Sequence, residues 1–341
     1  MTQPTASAHA LPPPIQMLQM ITGKWVSQAL SVVATLGVAD QLKEGPASSQ
    51  SLAGPLKVNA DALHRVLRAL ASLGVFREEA DGRFVNTPSS ELLRDTPGSL
   101  RDYIVFLGQP WHLQAFGEIL HSLRTGEPSV DRVLGKSIWD FLAGDPEQAR
   151  IFNAAMTGIV ADTATAVRDA YDFGGVRTLV DVGGGHGMLL GTVLAANPAL
   201  RGVLFDLPHV VEGAAATFVR LGVRDRVTIV GGDFFAEVPR GDAYLLSHII
   251  HDWDDERSID ILRCIRRAAE PGARVLLAEA VIPSGNAFSF GKLLDLEMLT
   301  LPGGIERTEA EYRELLRAGG FRLARIVPTR SSTSVVEGIA S

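Results

Sequence analysis

The apolar positions change their period once along the chain. Before about Asp172 they recur at helical spacing; after it, short apolar runs alternate with helical stretches. Within residues 15–42, Leu18, Ile21, Trp25, Ala29, Val32 and Leu36 fall near i, i+3, i+4 intervals, which predicts one or two helices whose stripe needs a partner. Residues 48–53 lead to a break at Gly54-Pro55. Asn59-Ala60-Asp61 then opens a helix over 62–73 that stops at Gly74. Two short runs, 75–77 and 83–85, flank Asp81-Gly82 as a hairpin, so helix, turn, helix and hairpin describe a winged helix. Between 100 and 172 further helices carry Trp111, Phe116, Leu120, Trp139, Phe141, Phe152 and Met156, and most of these large side chains read as core.

In the second half, strands at 178–182, 201–206, 227–231, 242–247 and 274–279 are separated by helical stretches, the pattern of a parallel, doubly wound α/β sheet. Runs at 321–327 and 332–337 suit a closing antiparallel pair. The organisation expected is a loose tail over 1–14, ending Leu11-Pro12-Pro13-Pro14, a mostly helical domain over 15–105, connecting helices over 106–172 and a sheet domain over 173–341.

Charge and composition narrow the function. The 341 residues carry a net charge of −7, a field that disfavours nucleic acid and anionic membranes. The winged-helix segment itself sets Lys57, Arg65, Arg68, Arg77 and Arg83 against Asp61, Glu78, Glu79 and Asp81, a near balance that suits burial against a second copy better than phosphate binding. One cysteine, Cys264, excludes an intramolecular disulfide framework and a cysteine-cluster metal site and fits a reducing, cytoplasmic setting. The longest uncharged stretches are too polar or glycine-rich to span a bilayer, and no secretory signal is visible.

The candidate chemistry collects at the strand ends. Leu179-Val180-Asp181-Val182 runs into Gly183-Gly184-Gly185-His186-Gly187, a glycine turn followed by a helix from Met188, so backbone N–H groups face a ligand above the strand. Met188 stands where a dinucleotide fingerprint needs glycine, and no Lys-Ser/Thr pair follows, which disfavours NAD and excludes a P-loop. Asp206, at the end of the next strand in Phe205-Asp206-Leu207-Pro208, is placed to accept from ribose hydroxyls. Gly231-Gly232-Asp233-Phe234-Phe235 ends the third strand with a carboxylate and rings suited to an adenine. Each turn alone is ordinary; their succession describes an adenosine pocket.

These motifs, with His251-Asp252-Trp253, Ala278-Glu279 and Pro302-Gly-Gly-Ile-Glu-Arg-Thr308, stand in the order found in small-molecule O-methyltransferases, and nearly the whole chain resembles the caffeic-acid type of that family. The resemblance implies a Rossmann-like class I methyltransferase domain joined to an N-terminal winged-helix dimerisation domain, hence a homodimer. It implies S-adenosylmethionine as methyl donor, S-adenosylhomocysteine as product, no metal and a small-molecule hydroxyl acceptor. Carried over position by position, Asp181, Gly183 and Gly185 would flank the methionine portion, Asp206 and Leu207 the ribose, and Asp233 with Phe234 the adenine. Ser247 stands where plant relatives often carry a lysine. His251 falls on the base, Glu279 and Glu306 on the carboxylates that orient it, and Met156, Asp252 and Met298 on positions lining the acceptor pocket.

The chemistry supports these roles separately. A phenol with pKa of about 10 attacks poorly until its proton leaves, and a neutral imidazole with a pKa of about 6.5 is a suitable base when a carboxylate fixes its tautomer. The bland reading of residues 251–256 is a helix N-terminus capped by Asp252 or Asp254. His248 and His251, at i and i+3, hint at a metal, but no third ligand stands at a recognised spacing. Three other functions fit parts of the pattern: a cofactor-binding relative that decarboxylates or hydroxylates, a winged-helix regulator that senses a small molecule, and an NAD-dependent oxidoreductase.

Overall fold

The computed structural model describes residues 12–341. Most of the tail predicted over 1–14 lies outside the described residues, but Pro13 and Pro14 already belong to the helix Pro13–Leu36. Proline is tolerated there because the first-turn N–H groups have no intrahelical partner to lose. Packing separates the chain into two compact units, 1–109 and 110–341. A boundary after residue 105 would cut the helix Arg101–Leu107, so the division lies later, and the helices that follow Gln109 belong to the same unit as the large sheet.

In the first unit the long helix stops at Gly37, whose φ of 68° turns the chain into a short helix, Val38–Gln41. Val33, Val38 and Leu42 pack with Leu63, Leu67, Leu70, Phe76 and Phe84 in one core. The helix Ser49–Leu56 runs through Gly54 and Pro55, so the break predicted there falls later, at Lys57 in the left-handed region. Pro55 sits in the last turn, where its missing donor forfeits one bond at most. Asn59 caps the helix Ala60–Ser72 by accepting from the Ala62 N–H at 2.9 Å. Strands β1 (Phe76–Glu78) and β2 (Phe84–Asn86) form the antiparallel hairpin. Along the first helix Leu18, Ile21 and Trp25 face solvent, Trp25 with 65% of its surface open.

The second unit is built on β3 (Thr178–Val182), β4 (Arg201–Asp206), β5 (Val227–Gly231), β6 (Ala243–Ser247), β7 (Arg274–Glu279), β8 (Phe321–Pro328) and β9 (Ser334–Ala340). Their order across the sheet is β5-β4-β3-β6-β7-β9-β8; β3 to β7 are parallel, and β9 is antiparallel to both of its neighbours. Near-continuous apolar runs such as Leu276-Leu277-Ala278 follow from cover on both faces. Asp242, predicted to open β6, stays outside it because its carboxylate accepts from the backbone N–H groups of Arg177 and Thr178 at 3.0 and 2.9 Å. The chain steps outward from β3 through β4 to β5, then returns to the other side of β3 as β6. That reversal opens a crevice at the carboxyl ends of β3 and β6, where open α/β sheets bind ligands.

The turn at that crevice depends on glycine. Gly187 has a φ of 75°, and a Cβ on it would lie 2.2 Å from the Phe218 ring. Gly187→Ala therefore combines left-handed strain with overpacking, and urea denaturation is expected to show a loss of about 2–4 kcal/mol; an unchanged midpoint would mean that the Phe218 ring moves aside freely.

Candidate active site

Two groups of residues meet at the crevice. The first surrounds the glycine turn after β3. The Gly183 N–H donates to Phe205 O at 2.8 Å and the Gly185 N–H to Asp206 Oδ2 at 2.8 Å, so the turn is fastened to the end of β4. Asp206 Oδ1 accepts from the Leu207 N–H at 2.7 Å; burial lifts this carboxyl above the ordinary range while the two N–H donors oppose the lift. A Cβ on Gly183 would strike Ile249 at 2.5 Å and come within 3.7 Å of Phe234, which brings β3, β5 and β6 to one point. A Cβ on Gly185 would meet nothing within 4 Å. That open space beside Asp206 fits the sugar and amino-acid portions of S-adenosylmethionine, and the exposed Asp233 with the half-buried Phe234 lies on the same edge. The buried Ser247 Oγ has no hydrogen-bond partner, so a polar group arriving there gains a donor.

Asp181 lies elsewhere. Its carboxyl sits beneath the turn, buried, 2.5 Å from where a Gly184 Cβ would stand, and Oδ2 lacks a partner. Burial, reinforced by the Asp206 charge, raises its pKa to about 7.

The second group is a buried cluster around His251. Asp254, rather than Asp252, caps the helix Asp255–Ala268, accepting from the Arg257 N–H at 2.8 Å. His251 and Asp252 are thereby left in the 3₁₀ turn Ile250–Asp252 that precedes the helix. His251 Nδ1 is 2.7 Å from Glu306 Oε1 and 3.8 Å from Glu279 Oε2, and Nε2 is 3.5 Å from Asp252 Oδ1. Glu279 holds the turn through its other oxygen, which accepts from the Ile249 and Ile250 N–H groups at 3.0 and 2.9 Å. The predicted base and both predicted orienting carboxylates therefore do converge.

Electrostatics correct one part of the sequence reading. Burial alone would push the imidazole below its usual value, but the carboxylates of Glu279, Asp252 and Glu306 outweigh it and hold His251 up to about 10, well above 6.5. Burial also lifts Asp252 to about 6 and Glu279 to about 7. The cluster thus shares protons among its members, and the form that accepts at Nε2 is populated as pH rises.

The sequence reading misses the residue that fixes this turn. Arg307 is 1% exposed and donates to the carbonyls of Ile250, Trp253 and Ile305 at 3.1, 3.0 and 3.1 Å, and to Asp255 Oδ1 from two nitrogens at 3.0 and 2.8 Å. Its neighbour Glu306 draws attention as a carboxylate, whereas a buried guanidinium is visible only once the 302–308 segment is seen folded over the 250–253 turn. The approach is close: a Cβ on Gly304 would lie 1.8 Å from the His251 carbonyl oxygen.

An aromatic wall completes the site. Trp253 stands edge-on to Phe235 at 4.9 Å and stacks with Trp139 at 6.0 Å, and Trp139 meets Phe152 edge-on at 6.1 Å. Trp139 and Phe152, read from sequence as core, thus join an aromatic row that continues to Trp253, two residues after His251. Arg257 covers the outer face of Phe235, its guanidinium carbon 3.7 Å from the ring centroid. Met298 is buried, and its carbonyl accepts from the Gly303 N–H at 2.9 Å, which ties it to the loop carrying Glu306. Met156 is half-buried on the helix Pro146–Ala170.

Comparison with known proteins agrees with this geometry. Residues 116–322 match the family model of the O-methyltransferase domain, and residues 18–96 that of the O-methyltransferase dimerisation domain. The phenazine O-methyltransferase PhzM of Lysobacter antibioticus is 46% identical over 97% of each chain. The mitomycin biosynthesis 6-O-methyltransferase of Streptomyces lavendulae is 40% identical over 91% of this chain and 89% of its own. The crystal structure of CalO1, a methyltransferase in calicheamicin biosynthesis with S-adenosylhomocysteine bound, covers 98% of this chain and all of its own at 36% identity and a TM-score of 0.85. The matched domain, spanning the mostly parallel sheet and its crevice, defines a methyltransferase. The chain belongs to the O-methyltransferase family and acts as an S-adenosylmethionine-dependent enzyme.

Two outcomes follow from the charges. Asp181 is easier to protonate folded than unfolded, so its contribution to stability is full below about 3.8 and is lost as pH rises through about 7. Thermal melts should therefore show Asp181→Asn gaining on the wild type between pH 4 and 7, by on the order of 4 kcal/mol at the plateau; a constant difference across that range would refute the buried charge. Arg307→Met should lower kcat by at least ~10-fold while S-adenosylmethionine affinity, read by calorimetry, stays within about threefold, because the turn it holds carries His251 rather than the adenosine edge.

Proposed function

We propose that the acceptor is a hydroxyl on a planar aromatic or polyketide-like molecule, of the kind a phenazine ring system presents, and that His251 removes its proton. The observation that carries this reading is the His251 pair: Nδ1 held by Glu306 at 2.7 Å, which leaves Nε2 on the Asp252 side to meet a hydroxyl. When bound, S-adenosylmethionine supplies an electrophilic methyl on a sulfonium and departs as S-adenosylhomocysteine. The acceptor O–H bond breaks toward Nε2 as the O–CH₃ bond forms, and the proton ends on the imidazole. Glu279 and Glu306 stabilise the imidazolium so produced. Burial excludes water from the transfer, and the wall of Trp139, Phe152 and Trp253 holds a flat ring against the base. Met156 and Met298 supply the adaptable remainder of the acceptor pocket.

Asp206 and Leu207 take the ribose, Asp233 and Phe234 the adenine, Gly183 and Gly185 the methionine portion; Ser247 adds a hydroxyl, and Asp181 supports the turn from below. The exposed stripe with Leu18, Ile21 and Trp25, which falls within or beside the matched dimerisation segment, is the face buried between two copies. The first unit serves that pairing rather than DNA. No helix among the described residues is long and apolar enough to cross a membrane, and a single buried cysteine suits the cytoplasm.

Transfer of labelled methyl from S-adenosylmethionine to a panel of hydroxyphenazines, phenols and polyketide hydroxyls tests the reading. His251→Ala is expected to lose about 10²–10⁴ in kcat with cofactor binding intact, and wild-type kcat should rise from pH 7 toward about 10 as the imidazole loses its proton. A variant that keeps full activity would exclude His251 as the base.

A further inference from the structure

His248 has no part in the chemistry above, yet its placement is costly. It has a φ of 55°, in the left-handed region that a non-glycine side chain adopts at a penalty, and its ring tilts against His251 with centroids 5.2 Å apart. Its Nε2 is buried without a hydrogen-bond partner. Two more orphaned buried atoms belong to the same cluster, Glu279 Oε2 and Glu306 Oε2. Buried polar atoms without partners are costly, so several in one cluster mark a place for a group that satisfies them together. The spacing is also specific: one donor atom from each of His248, His251 and Glu279 lies within 4.8 Å of the other two. The pair of histidines three residues apart lacks a third ligand in the sequence; the fold supplies it from the end of the neighbouring strand β7.

We propose that His248, His251 and Glu279 form a binding site for a divalent transition metal, best matched by Zn²⁺, which inhibits methyl transfer. Two imidazoles and a carboxylate are a ligand set that Zn²⁺ accepts, and side-chain rotation draws the donors in from 4.8 Å to the closer spacing of a tetrahedral ion. The carboxylates of Glu279 and of Glu306, which stands beside His251, favour a dication, and solvent completes the tetrahedron. Metal binding displaces the proton from the coordinating His251 nitrogen and releases it to solvent. The imidazole then serves the ion and no longer receives the acceptor's proton. The ion is an inhibitor here, not a cofactor, and the site forms whether or not His251 is the base.

The test uses the full chain cleared of metal with a chelator. Titration calorimetry with ZnCl₂ should give one saturable site on the wild type. Both His248→Asn, which keeps a residue tolerant of the left-handed backbone, and Glu279→Gln should weaken it by at least ~10-fold. Co²⁺ on the wild-type protein should develop visible absorption of a low-coordinate nitrogen–oxygen site, bleached by Zn²⁺. In the methyl-transfer assay, Zn²⁺ should inhibit the wild type and leave His248→Asn at its metal-free rate. Absence of a saturable site on the wild type, or equal Zn²⁺ affinity in wild type and His248→Asn, overturns the proposal. The Co²⁺ spectrum decides the matter on the wild type alone if the variants fold poorly.

Discussion

The carboxylate of Glu279 is the constraint on which the second unit's chemistry rests. It is fully buried at the end of β7, where an isolated negative charge would be prohibitively costly. One oxygen collects the amides that begin the 3₁₀ turn, and the other faces His251. Remove that carboxylate and the turn loses two backbone partners while the imidazole loses one of the charges that hold its proton. One side chain thus contributes both to the fold of the turn and to the charge on the imidazole, and Glu306 and Arg307 complete the arrangement from a distant segment. Arg307 brings the compensating positive charge close to a cluster otherwise rich in carboxylates, and it spends its donors on the backbone carbonyls of the same turn.

Much of this was legible in the residues. β3, β4, β5 and β7 fall where their apolar runs place them, because a strand covered on both faces is apolar along most of its length. The glycine turn and Asp206 follow from the same local rules. The failures have physical causes. Gly54-Pro55 reads as a break but sits in the last turn of a short helix, where proline does little harm. Asp242 reads as strand but is claimed by the backbone of Arg177 and Thr178. The charge state of His251 depends on Glu279 at the end of β7, on Asp252 and on Glu306, 55 residues away, and no local pattern reports such a convergence. Arg307 was invisible for the same reason: its partners are carbonyls, which every residue possesses.

The two groups at the crevice differ in how they tolerate change. Around the glycine turn the hydrogen bonds run from backbone to backbone or to the Asp206 carboxylate, so side chains can vary so long as Gly183, Gly187 and Asp206 stay. Around His251 the contacts to the imidazole run through particular carboxylate side chains.

The sheet order carries a consequence for how the molecule is made. β9 is synthesised after every other strand, yet it lies between β7 and β8. Until it inserts, β7 is an open edge with Val275, Leu276 and Leu277 along it, a template for pairing with any passing strand. β8 cannot shield that edge, because it hydrogen-bonds to β9 and not to β7. The ribosome must therefore release residues 334–340 before the strand bearing Glu279 is sealed. A nascent chain that stalls before Ser334 leaves that apolar edge open at the strand that carries Glu279, where intermolecular pairing competes with folding.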